Sequence, residues 1–387
     1  MNELFARRRT LVLKRGKERV AANRHPWIFA GAIHSERGPE DAAIADLVDG
    51  DGARIASGFY SRQSQIRLRA LTFGEESLTA DVIASRIAAA IARRAPLFDD
   101  TTNAARLVHA EGDDLSSIIV DRYGELLVVE IANAGAEQVK PLLVDTLQRE
   151  LQPRALFFKN DLPARKLEGL PTADEGEGAT EFLESGLRFR LDAAGGQKTG
   201  FFLDQRENRR LARALAGGKR VLNLFSYTGA FGVYAAAGGA ASVTNVDISA
   251  PAIEQAKENH ALNGSSAELL VADAFQYVRQ KHGPFDLVIC DPPAFAKSRN
   301  EVERAARGYK DVNLFALRMV PPGGRMMTFS CSGHMSLDLF QKVLFAAALD
   351  AGRRVSFVRR LTAGPDHPVS LHAPEGEYLK GFLLEVH

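Results

Sequence analysis

Cysteine is scarce in this sequence: 387 residues contain two, Cys290 and Cys331. Two thiols cannot build a disulfide framework, and such sparing use suits a reducing compartment, so a cytoplasmic location is expected. No apolar run of 18 residues occurs, and the first residues hold no long apolar stretch. Neither a membrane span nor a signal peptide is therefore expected. Charge of one sign is also missing. The 49 Lys and Arg against 48 Asp and Glu leave a formal net charge of +1, so no global field draws the chain onto nucleic acid. The rest is ordinary for a soluble chain, 45% hydrophobic and 25% charged, and the length implies two or three domains.

The local balance differs from the global one. Residues 1–30 carry eight Lys or Arg against Glu3 and Glu18, a net of +6. Arg15, Lys17 and Arg24 in this cluster are candidates for phosphate contact, a solvated basic start being the bland alternative. Residues 10–78 read as short strands broken by turns, with a hairpin turn at Asp49-Gly50-Asp51-Gly52. Between Gln65 and Leu71 the pattern alternates with period two, so Arg67 and Arg69 share one face of a small β-barrel and join the RNA-binding candidates. For Trp27 and Phe29, core filling is expected and base stacking is the alternative. Residues 79–190 read as an α+β module with a hairpin around Tyr123-Gly124. The acidic stretch Asp174–Glu184 reads as a linker or surface loop.

Lys219–Ser249 is the organising stretch of the remainder, residues 191–387. Val221–Phe225 is an apolar run fit for one buried strand. The turn Ser226-Tyr227-Thr228-Gly229 follows, then a small-residue helix, then a second strand ending at Asp247. Such a unit presents backbone N–H groups at a helix terminus and, 18 residues after Gly229, a carboxylate able to hold both ribose hydroxyls of a nucleoside. A pyrophosphate site wants glycines where Phe225 and Tyr227 stand. A nucleoside without phosphates fits better, and S-adenosylmethionine is such a ligand; a bare α/β crossover is the alternative. The polar loop from Ala193 to Arg206 precedes the first strand, a usual place for a ligand-covering segment. Alternation of strand and helix continues to the end and gives seven strands with a terminal hairpin. Asp247, Asp273, Asp291 and Cys331 all stand at strand ends, where ligands of open α/β sheets bind.

The chemistry turns on Asp291-Pro292-Pro293-Ala294-Phe295-Ala296-Lys297 and Thr328-Phe329-Ser330-Cys331-Ser332. C5 of a pyrimidine is a poor nucleophile unaided. A thiolate adding to C6 makes C5 electron-rich, and an acid near N3, if protonated or hydrogen-bonded, stabilises the charge that develops, roles for Cys331 and Asp291. An ordinary cysteine, with a pKa near ~8.5, is only a few per cent thiolate at neutral pH, so the site has to favour that form. Cys290, one residue before the acid, reads as a buried small hydrophobe.

These pieces resemble a known family. HPWIFAGAI, DRYG, KTGFFLDQR, VLNLFSYTGAF, VDIS, DPPAFAK, RGYKDVN, TFSCSG, DHPV and EGEYLKGF occur in order over nearly the full length. The chain is similar to bacterial 23S rRNA cytosine-5 methyltransferases with an N-terminal PUA domain. The resemblance implies an α/β fold: a PUA-like barrel (1–78), a central α+β domain (79–190) and a seven-stranded Rossmann-like class I methyltransferase sheet (191–387). It implies S-adenosylmethionine as donor, bound by Gln205, Phe225, Ser226, Thr228, Gly229, Asp247, Ile248, Ser249, Asp273, Ala274, Asp291 and Pro292. It implies Cys331 as nucleophile, with 23S rRNA or a large-subunit assembly intermediate as partner and no metal. Lys297, Tyr309 and Lys310 join the RNA-binding candidates. Many RNA cytosine-5 enzymes carry a second cysteine after the proline of the fourth-strand motif, and DPPAF lacks it. Two rivals stay open, an exocyclic-amine methyltransferase and a non-catalytic RNA-binding protein, and a homodimer is left open too.

Overall fold

The computed structural model describes residues 2–17, 19, 22–194, 200–280, 282–296 and 298–387. Chain contacts divide the protein into two compact units. One comprises Met1–Glu181, Leu191–Phe201 and Asp366–Gly376; the other comprises Phe182–Arg190, Phe202–Pro365 and Glu377–His387.

The first unit opens on a six-stranded sheet: β1 (Arg8–Leu13), β2 (Trp27–Phe29), β3 (Ile33–Arg37), β4 (Ile44–Val48), β5 (Arg54–Tyr60) and β6 (Ile66–Phe73), in the order β2-β6-β5-β4-β1-β3. Alternation along β1 buries Arg9, Leu11 and Leu13 on one face. A four-stranded sheet follows, β7 (Ala104–His109), β8 (Ile118–Tyr123), β9 (Leu126–Ile131) and β10 (Ala155–Phe158), with the helix Ala80–Arg94 capped by the Thr79 side chain. Phe5, Ile44, Phe59, Leu71 and Leu78 pack in one apolar cluster with Ile83, Ile87, Leu107 and Val129. The barrel and the α+β module therefore share a core, which explains why they count as one unit.

The hairpin β11 (Ala179–Glu184) and β12 (Leu187–Asp192) occupies part of the stretch expected to be a linker. Glu184 is fully buried. Its carboxylate accepts from Arg209 Nε at 2.8 Å and Nη2 at 2.8 Å, and from the Tyr234 hydroxyl at 2.9 Å. The Arg206 guanidinium lies 3.3 Å away. A buried carboxylate persists only when so compensated.

The second unit contains seven strands: β13 (Arg220–Leu224), β14 (Ser242–Asp247), β15 (Glu268–Val271), β16 (Leu287–Cys290), β17 (Arg325–Ser330), β18 (Val355–Leu361) and β19 (Lys380–Val386). Their order is β15-β14-β13-β16-β17-β19-β18, parallel except where β19 runs antiparallel to both neighbours. The order reverses beside β13, so the ends of β13, β14, β16 and β17 face the switch point where such sheets bind ligands. Strands buried on both faces read as continuous apolar runs, as in Leu287–Cys290, where all four residues are buried. Among the described residues no helix is long and apolar enough to cross a membrane.

Candidate active site

The turn after β13 is locally strained. Phe225 (φ 57°), Tyr227 (φ 47°) and Gly229 (φ 76°) all take left-handed conformations. Such conformations are costly for residues with a Cβ and persist where surroundings enforce them. Here the Ser226 N–H donates to the Val246 carbonyl at 3.0 Å, and the Tyr227 N–H to Asp247 Oδ2 at 2.8 Å. Gly229 cannot be replaced cheaply, because a Cβ there would stand 2.8 Å from the Ala256 Cβ. Asp247 Oδ1 also accepts the Ser249 N–H at 2.9 Å, and Ser249 caps the helix Ala250–Leu262.

The turn and the strand ends fit a nucleoside. The Ser226 hydroxyl is buried and, among the described residues, has no hydrogen-bond partner, which leaves a polar atom for a ligand to satisfy. Ile248, beside Asp247, is 72% exposed, an apolar surface suited to a base or ribose face. Asp273 caps the helix Ala274–Arg279 by accepting the Phe275 N–H at 2.7 Å. Thr228 is buried, and its carbonyl accepts from Asn259 Nδ2 at 2.9 Å.

At the end of β16, Asp291 Oδ2 accepts from Gln205 Nε2 at 2.8 Å, and Gln205 Oε1 in turn accepts from Asn208 Nδ2 at 2.6 Å. Asn208 thereby fixes which way the Gln205 amide points, a role that went unread in the sequence. Pro292 is buried, and its carbonyl lies 3.9 Å from the Cys331 sulfur. Cys331, just beyond β17, is half-buried. The structure thus brings together Gln205, Asp291, Pro292 and Cys331.

The other thiol has a different setting. Cys290 has no exposed surface and packs in the main core with Leu222, Val288 and Met326. Burial, and secondarily the Asp291 charge, push its thiol well above the usual range. It stays a neutral thiol at physiological pH. Cys290→Ala is expected to lose about 1 kcal/mol of stability in chemical denaturation and to keep most methyl transfer. A collapse of activity with stability intact would give Cys290 a chemical role.

Several RNA-binding expectations need correction. Tyr309 is fully buried, on the same helix face as Ala305, Val312 and Ala316, and its hydroxyl meets Ser332 Oγ at 2.9 Å. It cannot reach RNA. The Arg67 guanidinium lies 3.1 Å from Glu36 and that of Arg69 lies 3.8 Å from Glu111, with side chains only 18% and 12% exposed. Both charges are met internally. Lys310 pairs with Asp350 at 2.6 Å and is partly exposed. Arg15, Lys17 and Arg24 are exposed, while Lys297 lies outside the described residues, as do residues 195–199 of the loop before Phe201. Trp27 is half-buried and donates to Glu111 Oε1 at 2.8 Å, whereas Phe29 is 50% exposed and fills no core.

Sequence reading missed Lys380 and Ser332. Lys380 is 5% exposed, and its Nζ donates to the Ser332 carbonyl at 3.1 Å. Ser332 Oγ accepts the Ala296 N–H at 3.2 Å, tying the DPPAFAK loop to the segment after β17. The only sequence signal for Lys380 was a cation directly before the apolar run Gly381–Leu384.

Residues 143–380 match the family model of S-adenosylmethionine-dependent methyltransferases, and residues 11–73 match a PUA-like domain. Fold and site together define an S-adenosylmethionine-dependent methyltransferase. The chain is 43% identical to ribosomal RNA large subunit methyltransferase I of Shewanella denitrificans, covering 97% of this chain and 98% of that relative. It is 42% identical to the protein of the same name from Photobacterium profundum, covering 97% and 99%. This chain belongs to the ribosomal RNA large subunit methyltransferase I family. Among solved structures, a protein from Streptococcus mutans assigned as a SAM-dependent methyltransferase superposes with TM-score 0.81 at 21% identity, covering 97% of this chain and all 100% of that one. A second, SMU.776, solved with SAH, gives 0.82 at 22%, again covering 97% and 100%. These two show the fold.

Proposed function

We propose that this protein methylates C5 of a cytosine in 23S rRNA, free or within a large-subunit assembly intermediate, with Cys331 as the nucleophile. The observation that carries the reading is the approach of the Cys331 sulfur to the Pro292 carbonyl at 3.9 Å, which sets a thiol beside the acid-bearing end of β16. The relatives' names supply the RNA class. The Cys331 thiolate adds to C6 of the base, and Asp291, oriented by Gln205, faces the pyrimidine edge where charge develops. When bound, S-adenosylmethionine supplies the methyl group that C5 then takes. Loss of the C5 proton to a base expels the Cys331 thiolate and restores the ring. Asp247 and Ser226 hold the donor's ribose end.

Amine methylation is disfavoured by Phe295. Its ring packs against Tyr309 at 4.5 Å and Phe275 at 5.7 Å, so it is engaged in the protein rather than offered to a base. Mapping 5-methylcytosine in rRNA from cells with and without the protein tests the proposal. Loss of a single 5-methylcytosine supports it, whereas loss of a methylated exocyclic amine overturns it.

The exposed cations of the barrel are the proposed phosphate contacts. Truncation at residue 78 would strip apolar partners from the shared core, so charge reversal is the cleaner test. Arg15→Glu with Lys17→Glu is expected to weaken rRNA binding and flatten its salt dependence, by roughly one unit of log-log slope per lost phosphate contact. S-adenosylmethionine affinity should not change. An unaltered salt slope removes the barrel from the RNA interface.

A further inference from the structure

Lysine is rarely buried without a task, and Lys380 stands at the first position of β19, opposite Ser330 in the antiparallel register with β17. Its ammonium reaches past that pair to the Ser332 carbonyl, so it spans the Cys331 position from Ser330 to Ser332. An ammonium has three donors, and among the described residues this is its one side-chain hydrogen bond. We propose that Lys380 is a positioning residue that holds Cys331 as the thiolate through its charge, which deepens, and rests on, the reading of Cys331 as nucleophile.

The chemistry is electrostatic and moves no atoms. A cation within about 4–6 Å of an ionisable acid favours the charged form, and a thiolate forms there by losing its proton to solvent. Lys380 and Cys331 feel each other's charge: burial pulls the lysine below its usual range, and the charges of Glu377 and Cys331 push back. Among the described residues, titratable groups near the pair include Tyr309, from the helix Val302–Arg318, whose hydroxyl meets Ser332 Oγ, and Asp291, which precedes the Pro292 that Cys331 approaches. Burial holds the Tyr309 phenol above its usual range, so it is neutral and adds no competing charge. Asp291 is engaged by Gln205. His334, on the same loop as Cys331, is exposed. Among the described residues, Lys380 is thus a cation placed to offset the charge of a thiolate at the position next to Ser332.

The test is the pH dependence of iodoacetamide alkylation of the full chain without RNA, read by peptide mass at Cys331; buried Cys290 gives a negligible background. Lys380→Gln keeps an N–H donor for the Ser332 carbonyl and removes the charge, and Lys380→Met removes both. Both are expected to raise the alkylation midpoint by about one pH unit. Methyl transfer at pH 7 should fall about tenfold and recover as the pH is raised to 9. A Lys380→Gln midpoint equal to that of the wild type overturns the proposal whether or not activity is lost; so does loss of activity in Lys380→Gln that no pH restores. If Lys380→Met fails to fold, Lys380→Gln carries the test alone. If the wild-type protein itself forms no 5-methylcytosine while the Lys380→Gln midpoint is shifted, this coupling stands and the cytosine reading is rejected instead.

Discussion

Replacing Cys331 by alanine is expected to reduce methyl transfer to background while S-adenosylmethionine binds as before. The sulfur stands beside the Pro292 carbonyl and next to the Ser332 segment that Lys380 holds. The turn expected to hold the donor, Phe225–Gly229, is built instead from β13, Val246 and Asp247. Removing the thiol removes the group that adds to C6, and no other described thiol can replace it, since Cys290 is sealed in the core. RNA carrying 5-fluorocytosine at the target should trap a covalent adduct, because fluorine cannot leave C5 as a proton does. Peptide mapping should find that adduct on Cys331. An adduct elsewhere, or full activity in Cys331→Ala, would falsify the nucleophile assignment and return the reading to amine methylation.

Much of the sheet was legible because strands such as β13 and β16 are short apolar runs and because Ser249 marks the start of the helix Ala250–Leu262. Those signals are local. The placement of Asp247, Asp273, Asp291 and Cys331 at or just beyond strand ends was legible in the same local way. What escaped depends on distant partners. Glu184 sits in an acidic, glycine-bearing stretch that reads as linker, and it is the arginines at 206 and 209, with the Tyr234 hydroxyl, that make its burial tolerable. Lys380 is informative only through its register with Ser330. Tyr309 is a different failure. The spacing Ala305, Tyr309, Val312, Ala316 marks a buried helix face, and local periodicity outweighs the neighbouring cations of its motif.

Asp247→Ala is expected to weaken S-adenosylmethionine binding by roughly 1.5–3 kcal/mol, about tenfold to a hundredfold in Kd. Each carboxylate oxygen of Asp247 already accepts one backbone N–H, from Tyr227 and Ser249. A carboxylate oxygen has a second lone pair, and two such positions at the end of β14 match the two hydroxyls of a ribose. The same substitution removes a support of the strained turn, so part of the lost affinity comes from a turn that must be reordered on binding. Asp247→Asn separates the contributions. It keeps one acceptor oxygen, which can serve the Tyr227 N–H or the Ser249 N–H, and it loses the charge that strengthens the ribose contacts. Calorimetry with S-adenosylmethionine and with S-adenosylhomocysteine should show both variants weakened alike for the two ligands, because they share the ribose. Unchanged affinity in Asp247→Ala would remove Asp247 from the donor site. Weakening for S-adenosylmethionine alone would place Asp247 near the sulfonium rather than the ribose.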